Sequence, residues 1–170
     1  MRDSGRKVVF LCLVALWCQL SFAPAISIWG VVPDFIYLVF AFLVFFSNRQ
    51  KIICLAFGVG IAKDLFSNTF FGLETIGLVS GVLILNQIVK QFDREDFRVQ
   101  MWATFLCSLS GLTTFLVVFA VVQDKVLITS SHILRSFFIA VYTVFLVPLI
   151  FPFLKSFFAF KSPVKQYELF

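Results

Sequence analysis

Residues 32–66 read VPDFIYLVFAFLVFFSNRQKIICLAFGVGIAKDLF. Two apolar runs, 32–47 and 52–66, are separated by Asn48-Arg49-Gln50-Lys51. The first opens on Pro33-Asp34 and the second closes on Lys63-Asp64. A hydrocarbon core about 30 Å thick takes roughly 20 apolar residues per helix. Charge-free runs broken by basic gaps are the mark of consecutive membrane helices that turn back on the basic side.

The same rhythm extends outward in both directions. Apolar runs cover 8–29, 70–89, 99–122 and 133–154, giving six predicted spans with the two above. The chain is 61% hydrophobic and 14% charged over 170 residues. A soluble domain is closer to half apolar and a quarter charged. Six helices of this length leave room for short loops only, so the expectation is one polytopic all-α membrane domain over residues 1–170.

Charge assigns the sides. Arg2, Arg6 and Lys7 lie at the amino end, and Arg49 and Lys51 in the second gap. Lys90, Arg94 and Arg98 occupy the fourth gap, and Lys155, Lys161 and Lys165 the tail. Eleven of the 14 basic residues therefore share one side, leaving Lys63, Lys125 and Arg135. The positive-inside rule makes that side cytoplasmic and puts both termini there. The net charge of +5 is then a property of cytoplasmic loops, not a sign of nucleic-acid binding. Arg2 to Lys7, an apolar run and Ala23-Pro24-Ala25 also resemble a cleavable signal sequence. Apolar character continuing through Ile26, Ile28 and Trp29 favours a retained span, kinked at Pro24.

Polar residues inside the runs carry the functional expectations, because an ionisable group at a helix centre costs about 2.5 kcal/mol or more. Pro33-Asp34 suits a helix start at the outer surface, the acid favoured by the helix dipole. Lys63 is expected to snorkel outward, and the shorter Asp64 to face the bundle. Glu74 and Arg135 are candidates for an ion pair in the outer half. Gly58 and Gly60 lie on span three, and Gly77-x-x-x-Gly81 with Ser80 on span four. Glycines four apart share one face and admit a close helix, from this chain or from a partner. Pro148 and Pro152 predict a bend in span six.

Enzyme signatures do not emerge. Cys12, Cys18, Cys54 and Cys107 form no CxxC pair and read as small buried apolar groups. His132 is the sole histidine, so no metal or other cofactor is expected. Asp93, Glu95 and Asp96 fall among Lys90, Arg94 and Arg98, as in a solvated mixed-charge turn. The 25 phenylalanines suit lipid and helix packing.

Residues 33–81 resemble the MreD family, the integral-membrane rod-shape-determining proteins of bacteria. The resemblance rests on Pro33-Asp34, the basic gap 48–51, the glycine-containing span ending in Asp64-Leu65-Phe66, and Phe71-Gly72-Leu73. Length, six spans and a cytoplasmic amino end are similar too. Lys63 departs from the pattern, which more usually has an apolar residue before the acid. The resemblance implies a non-catalytic scaffold of the cell-elongation machinery, multi-pass in the inner membrane. It would bind MreC, a bitopic protein with a periplasmic coiled coil, alongside MreB, RodA and a class B transpeptidase. It also implies a fold similar to the substrate-binding subunits of energy-coupling-factor transporters. Pro33, Asp34, Asp64, Gly72, Gly77 and Gly81 are the candidate partner-binding or bundle-polar residues. The rival expectation is a solute-transporter subunit with a polar outer pocket of Asp34, Asp64, Glu74 and Arg135.

Overall fold

The computed structural model describes residues 2–46, 49–67, 70–89, 96–122 and 130–158. Among the described residues there are seven α-helices: α1 Arg2–Ser21, α2 Phe35–Phe46, α3 Arg49–Phe66, α4 Leu73–Ile88, α5 Phe97–Val122, α6 Ser130–Phe145 and α7 Val147–Phe158. No strand occurs among the described residues, apart from one isolated bridge between Ile28 and Val31. The expected acids Asp93 and Glu95, with Asn48, Lys90, Arg94, Lys125, Lys161 and Lys165, lie outside the described residues.

Helix α2 is the centre of the bundle. Every residue from Ile36 to Phe45 is buried. A helix apolar on all sides has no face to give to water, and here the other helices take up its whole circumference. Phe42 meets Phe151 of α7 edge-on at 5.4 Å, and Lys155 sits 5.1 Å from the Phe46 ring. Thr143 of α6 reaches the start of α2, so the α6–α7 pair runs parallel to it. Helices α1 and α3 run the opposite way, Gln19 meeting Phe35 and Lys63 meeting Asp34; α4 starts where α3 ends, and α5 runs back against it, with Gly77 facing Gly111 and Gly81 facing Cys107.

Three breaks follow from backbone chemistry. The first apolar run was expected to stay helical to Trp29, but α1 stops at Ser21. Pro24 opens a separate 3-10 turn, Pro24–Ile26, because its ring fits a first helical turn and not a helix interior. Beyond it Ile28 and Val31 exchange backbone hydrogen bonds across a two-residue turn. Trp29 and Gly30 both take positive φ there, 52° and 77°, the requirement of that tight hairpin. Pro148 has the expected effect. The chain bends by 48° between α6 and α7, and the break at Leu146 falls two residues before Pro148, which has no N–H to continue α6 and fits the first turn of a new helix. Pro152 remains inside α7.

Among the described residues, helix α5 alone is long and apolar enough to cross a membrane, and the bent α6–α7 pair passes the same test as one broken span. Helices α2 and α4 are shorter and apolar. Among the described residues the architecture is all-α and compatible with a membrane protein.

Candidate functional site

The polar residues of the bundle collect where α2 and α4 begin and α3 ends. Asp34 precedes α2 and is 6% exposed. Its Oδ1 accepts the backbone N–H groups of Ile36 and Tyr37, at 3.0 and 3.2 Å. That is the N-cap geometry, a carboxylate against the positive end of a helix. Pro33 therefore lies just outside the helix, not in its first turn. The N–H of Asp34 donates to Thr143 Oγ1 at 3.0 Å, which fastens the start of α2 to α6. Gln19 of α1 accepts from Phe35 N–H at 2.7 Å and donates to the Pro33 carbonyl at 3.4 Å.

Asp64 does for α4 what Asp34 does for α2, but from a different helix. Gly72 holds the N-cap position of α4 with φ 97°, a left-handed geometry that suits glycine, and has no side chain to cap with. Asp64, 4% exposed at the end of α3, supplies the missing acceptor. Its Oδ1 accepts Glu74 N–H at 2.9 Å, and its Oδ2 accepts Thr75 N–H and the Thr75 hydroxyl. The expectation that Asp64 faces the bundle is met in this form, as a cap provided across a helix pair.

Lys63 does not snorkel. Its ammonium lies 2.9 Å from Asp34 Oδ2 and 3.0 Å from Glu74 Oε2, with only 15% of the side chain exposed. It also sits 5.7 Å from the centre of the Tyr37 ring. Two carboxylates from two other helices draw it inward, and burying it costs less than leaving them unpaired. Lys63 also stands in the last turn of α3, where the helix dipole favours a cation. The pair expected between Glu74 and Arg135 does not form. Glu74 belongs to Lys63, and Arg135 donates to the Gly30 carbonyl at 3.1 Å.

The result is a knot of three carboxylates, one ammonium and two helix N-termini that ties α2, α3 and α4 together. A cavity of about 220 Å³ opens beside it, lined by Gln19, Lys63, Ser67 and Glu74 among apolar groups of α1 and α2. Of the four residues expected to line an outer pocket, Glu74 alone reaches this one. No group of three potential metal ligands gathers among the described residues. The carboxylates and the ammonium are committed to caps and ion pairs, which suits holding helices in register better than moving protons.

The small-residue face of α4 is filled from within the chain. A Cβ on Gly81 would meet the Cys107 carbonyl at 2.7 Å, and one on Gly77 the Gly111 carbonyl at 2.9 Å. The Tyr37 ring fills the remaining space, lying against Gly77, Gly81 and Gly111. Both glycines thus admit α5 and Tyr37, and that face is closed to a partner helix. Gly60 similarly admits Thr75, whereas Gly58 has open space above it. Of the cysteines, Cys12 and Cys107 are buried, but Cys54 is exposed.

Sequence reasoning missed Gln19, Tyr37, Thr75, Thr143 and Gly111. Gln19 carries a signal that could have found it, since it is the one amide inside the first apolar run. The others are ordinary residues for a membrane helix, and only the folded arrangement marks them.

The sequence model of the family described as "rod shape-determining protein MreD" matches residues 1–157. Neither a curated protein nor a solved structure matches the chain. With nearly its whole length matched, the chain belongs to the MreD family of rod shape-determining proteins.

Proposed function

We propose that this protein is a non-enzymatic scaffold of the bacterial elongation machinery, six-span in the inner membrane. In this reading it binds an MreC-like bitopic protein and helps regulate side-wall peptidoglycan synthesis, within an assembly that includes MreB, RodA and a class B transpeptidase. Family membership over residues 1–157 carries the reading. The closed polar knot supports it, since its charged groups serve helix ends and each other.

The six spans would be α1, α2, α3, α4, α5 and the bent α6–α7 pair. Helix α2, with 12 residues, is only about 18 Å long. As a buried central helix it need not match the bilayer itself, because its neighbours meet the lipid. The described basic residues Arg6, Lys7, Lys51, Arg98 and Lys155 lie near the starts of α1, α3 and α5 and the end of α7. Those ends form one side of the bundle, and the positive-inside rule makes it cytoplasmic. The knot then faces the periplasmic side.

The outer cavity beside Lys63 and Glu74 is the one observation that favours the rival, a solute-binding subunit similar to those of energy-coupling-factor transporters. Depletion of the chain in its own host separates the two. Rounding of the cells, with loss of wall insertion along the cylinder, is the outcome expected of the scaffold. Unchanged shape with a new requirement for an external vitamin would overturn it.

A further inference from the structure

A second opening lies away from the polar knot, between α5 and α6. It measures about 530 Å³, within the range of pockets that hold one small molecule. Arg98, Met101, Trp102 and Phe105 line it from α5, and Phe137, Val141 and Val144 from α6. Both sets follow helical spacing, so each is one continuous face about two turns long. The Phe105 and Phe137 rings meet edge-on at 5.8 Å and form part of its wall.

Its chemistry is uneven. The walls are almost wholly apolar, and among the described lining residues the one charge is Arg98, exposed in the first turn of α5. That turn belongs to the basic end of the bundle. Trp102, 67% exposed one turn further in, stands where aromatic side chains mark the headgroup level. A partner helix would need small residues for close approach or polar groups to bond with. Bulky Met, Trp, Phe and Val side chains offer neither, but they suit a flexible acyl chain. Basic pockets between membrane helices on the cytoplasmic side are suited to anionic headgroups.

We propose that this groove is a binding site for one anionic phospholipid of the cytoplasmic leaflet, its acyl chain along Met101, Phe105 and Val141 and its phosphate on Arg98. The site is distinct from the polar knot and rests on the membrane orientation proposed above, not on which protein partner the chain binds.

Native mass spectrometry of the purified full chain tests this, with equal phosphatidylglycerol and phosphatidylcholine added to the detergent. The parent should retain one phosphatidylglycerol in preference. Arg98→Gln, at an exposed position outside the packed core, should reduce that preference about fivefold, the worth of one cation near an anionic headgroup. Arg98→Lys should keep most of it. Val141→Phe should reduce retention of both lipids by filling the groove. Equal retention of the two lipids by the parent, or an unchanged preference in Arg98→Gln, would overturn the proposal. So would a photo-crosslinker at Val141 that captures a protein in native membranes and no lipid.

Discussion

Replacing Lys63 with methionine removes the one cation of the polar knot and keeps most of its volume. Asp34 and Glu74 then lose an ammonium at 2.9 and 3.0 Å, in a site where their side chains are only 8% and 19% exposed. Removing one partner of a buried ion pair costs about 3–5 kcal/mol, because the uncompensated charge stays buried. The 15% exposure of the Lys63 side chain argues for the lower end, about 3 kcal/mol. In a chain of this size each kcal/mol moves the melting temperature by about 2–4 °C, so Lys63→Met should melt about 6–12 °C below the parent. Thermal melting in detergent, followed by fluorescence-detected size exclusion, reads this directly. The triple variant Lys63→Met, Asp34→Asn, Glu74→Gln should recover a good part of the loss, since no charge is left uncompensated. A melting point for Lys63→Met within about 2 °C of the parent would refute the reasoning. A triple variant no better than the single would refute the electrostatic part of it.

Changes at three further positions probe the neighbouring contacts. Asp64→Ala should cost about 1–3 kcal/mol through unsatisfied N–H groups at the start of α4, and Asp64→Asn clearly less, as paired melts would show. If Asp64→Asn keeps cell shape fully, the carboxylate charge is dispensable for function and no relay runs through it. Gly72→Ala meets no neighbour, yet it forces an L residue to φ 97°, so a loss of about 1–2 kcal/mol with intact packing is expected from the same assay. Gly81→Leu should lower the melting point and the yield of folded protein together, because its side chain meets the Cys107 carbonyl inside the bundle. A stable Gly81→Leu protein that loses only its partner would contradict the filled face.

Much of the fold was legible because hydropathy is a local property. The apolar runs at 32–47, 52–66, 70–89 and 99–122 each hold one helix, and Pro148 announced the bend. The end of α1 was misplaced for a physical reason. Ile26, Ile28 and Trp29 are apolar enough to suit a continuing span, but hydropathy does not register that Pro24 has removed the N–H needed to continue the helix.

The site was legible as a list and not as an arrangement. Asp34 and Asp64 were visible as acids at the ends of apolar runs, and Gly72 as part of a short turn. That Asp64 caps the helix following Gly72 depends on α3 and α4 packing side by side. Snorkelling was the natural expectation for Lys63 alone. It fails because Asp34 and Glu74, 29 residues before it and 11 after, converge on it only in the folded bundle. Likewise the Gly77 and Gly81 spacing declared a close helix contact but not its occupant, which proved to be α5 with the Tyr37 ring.

The most direct test of the scaffold reading is recovery of the tagged full chain from native membranes in mild detergent, with mass spectrometry of the proteins that accompany it. The account predicts a single-span protein with a periplasmic coiled coil, together with wall synthases. Recovery of paired ATPases and a coupling membrane subunit instead would contradict it, and the cavity beside Lys63 and Glu74 would become the place to look for a ligand.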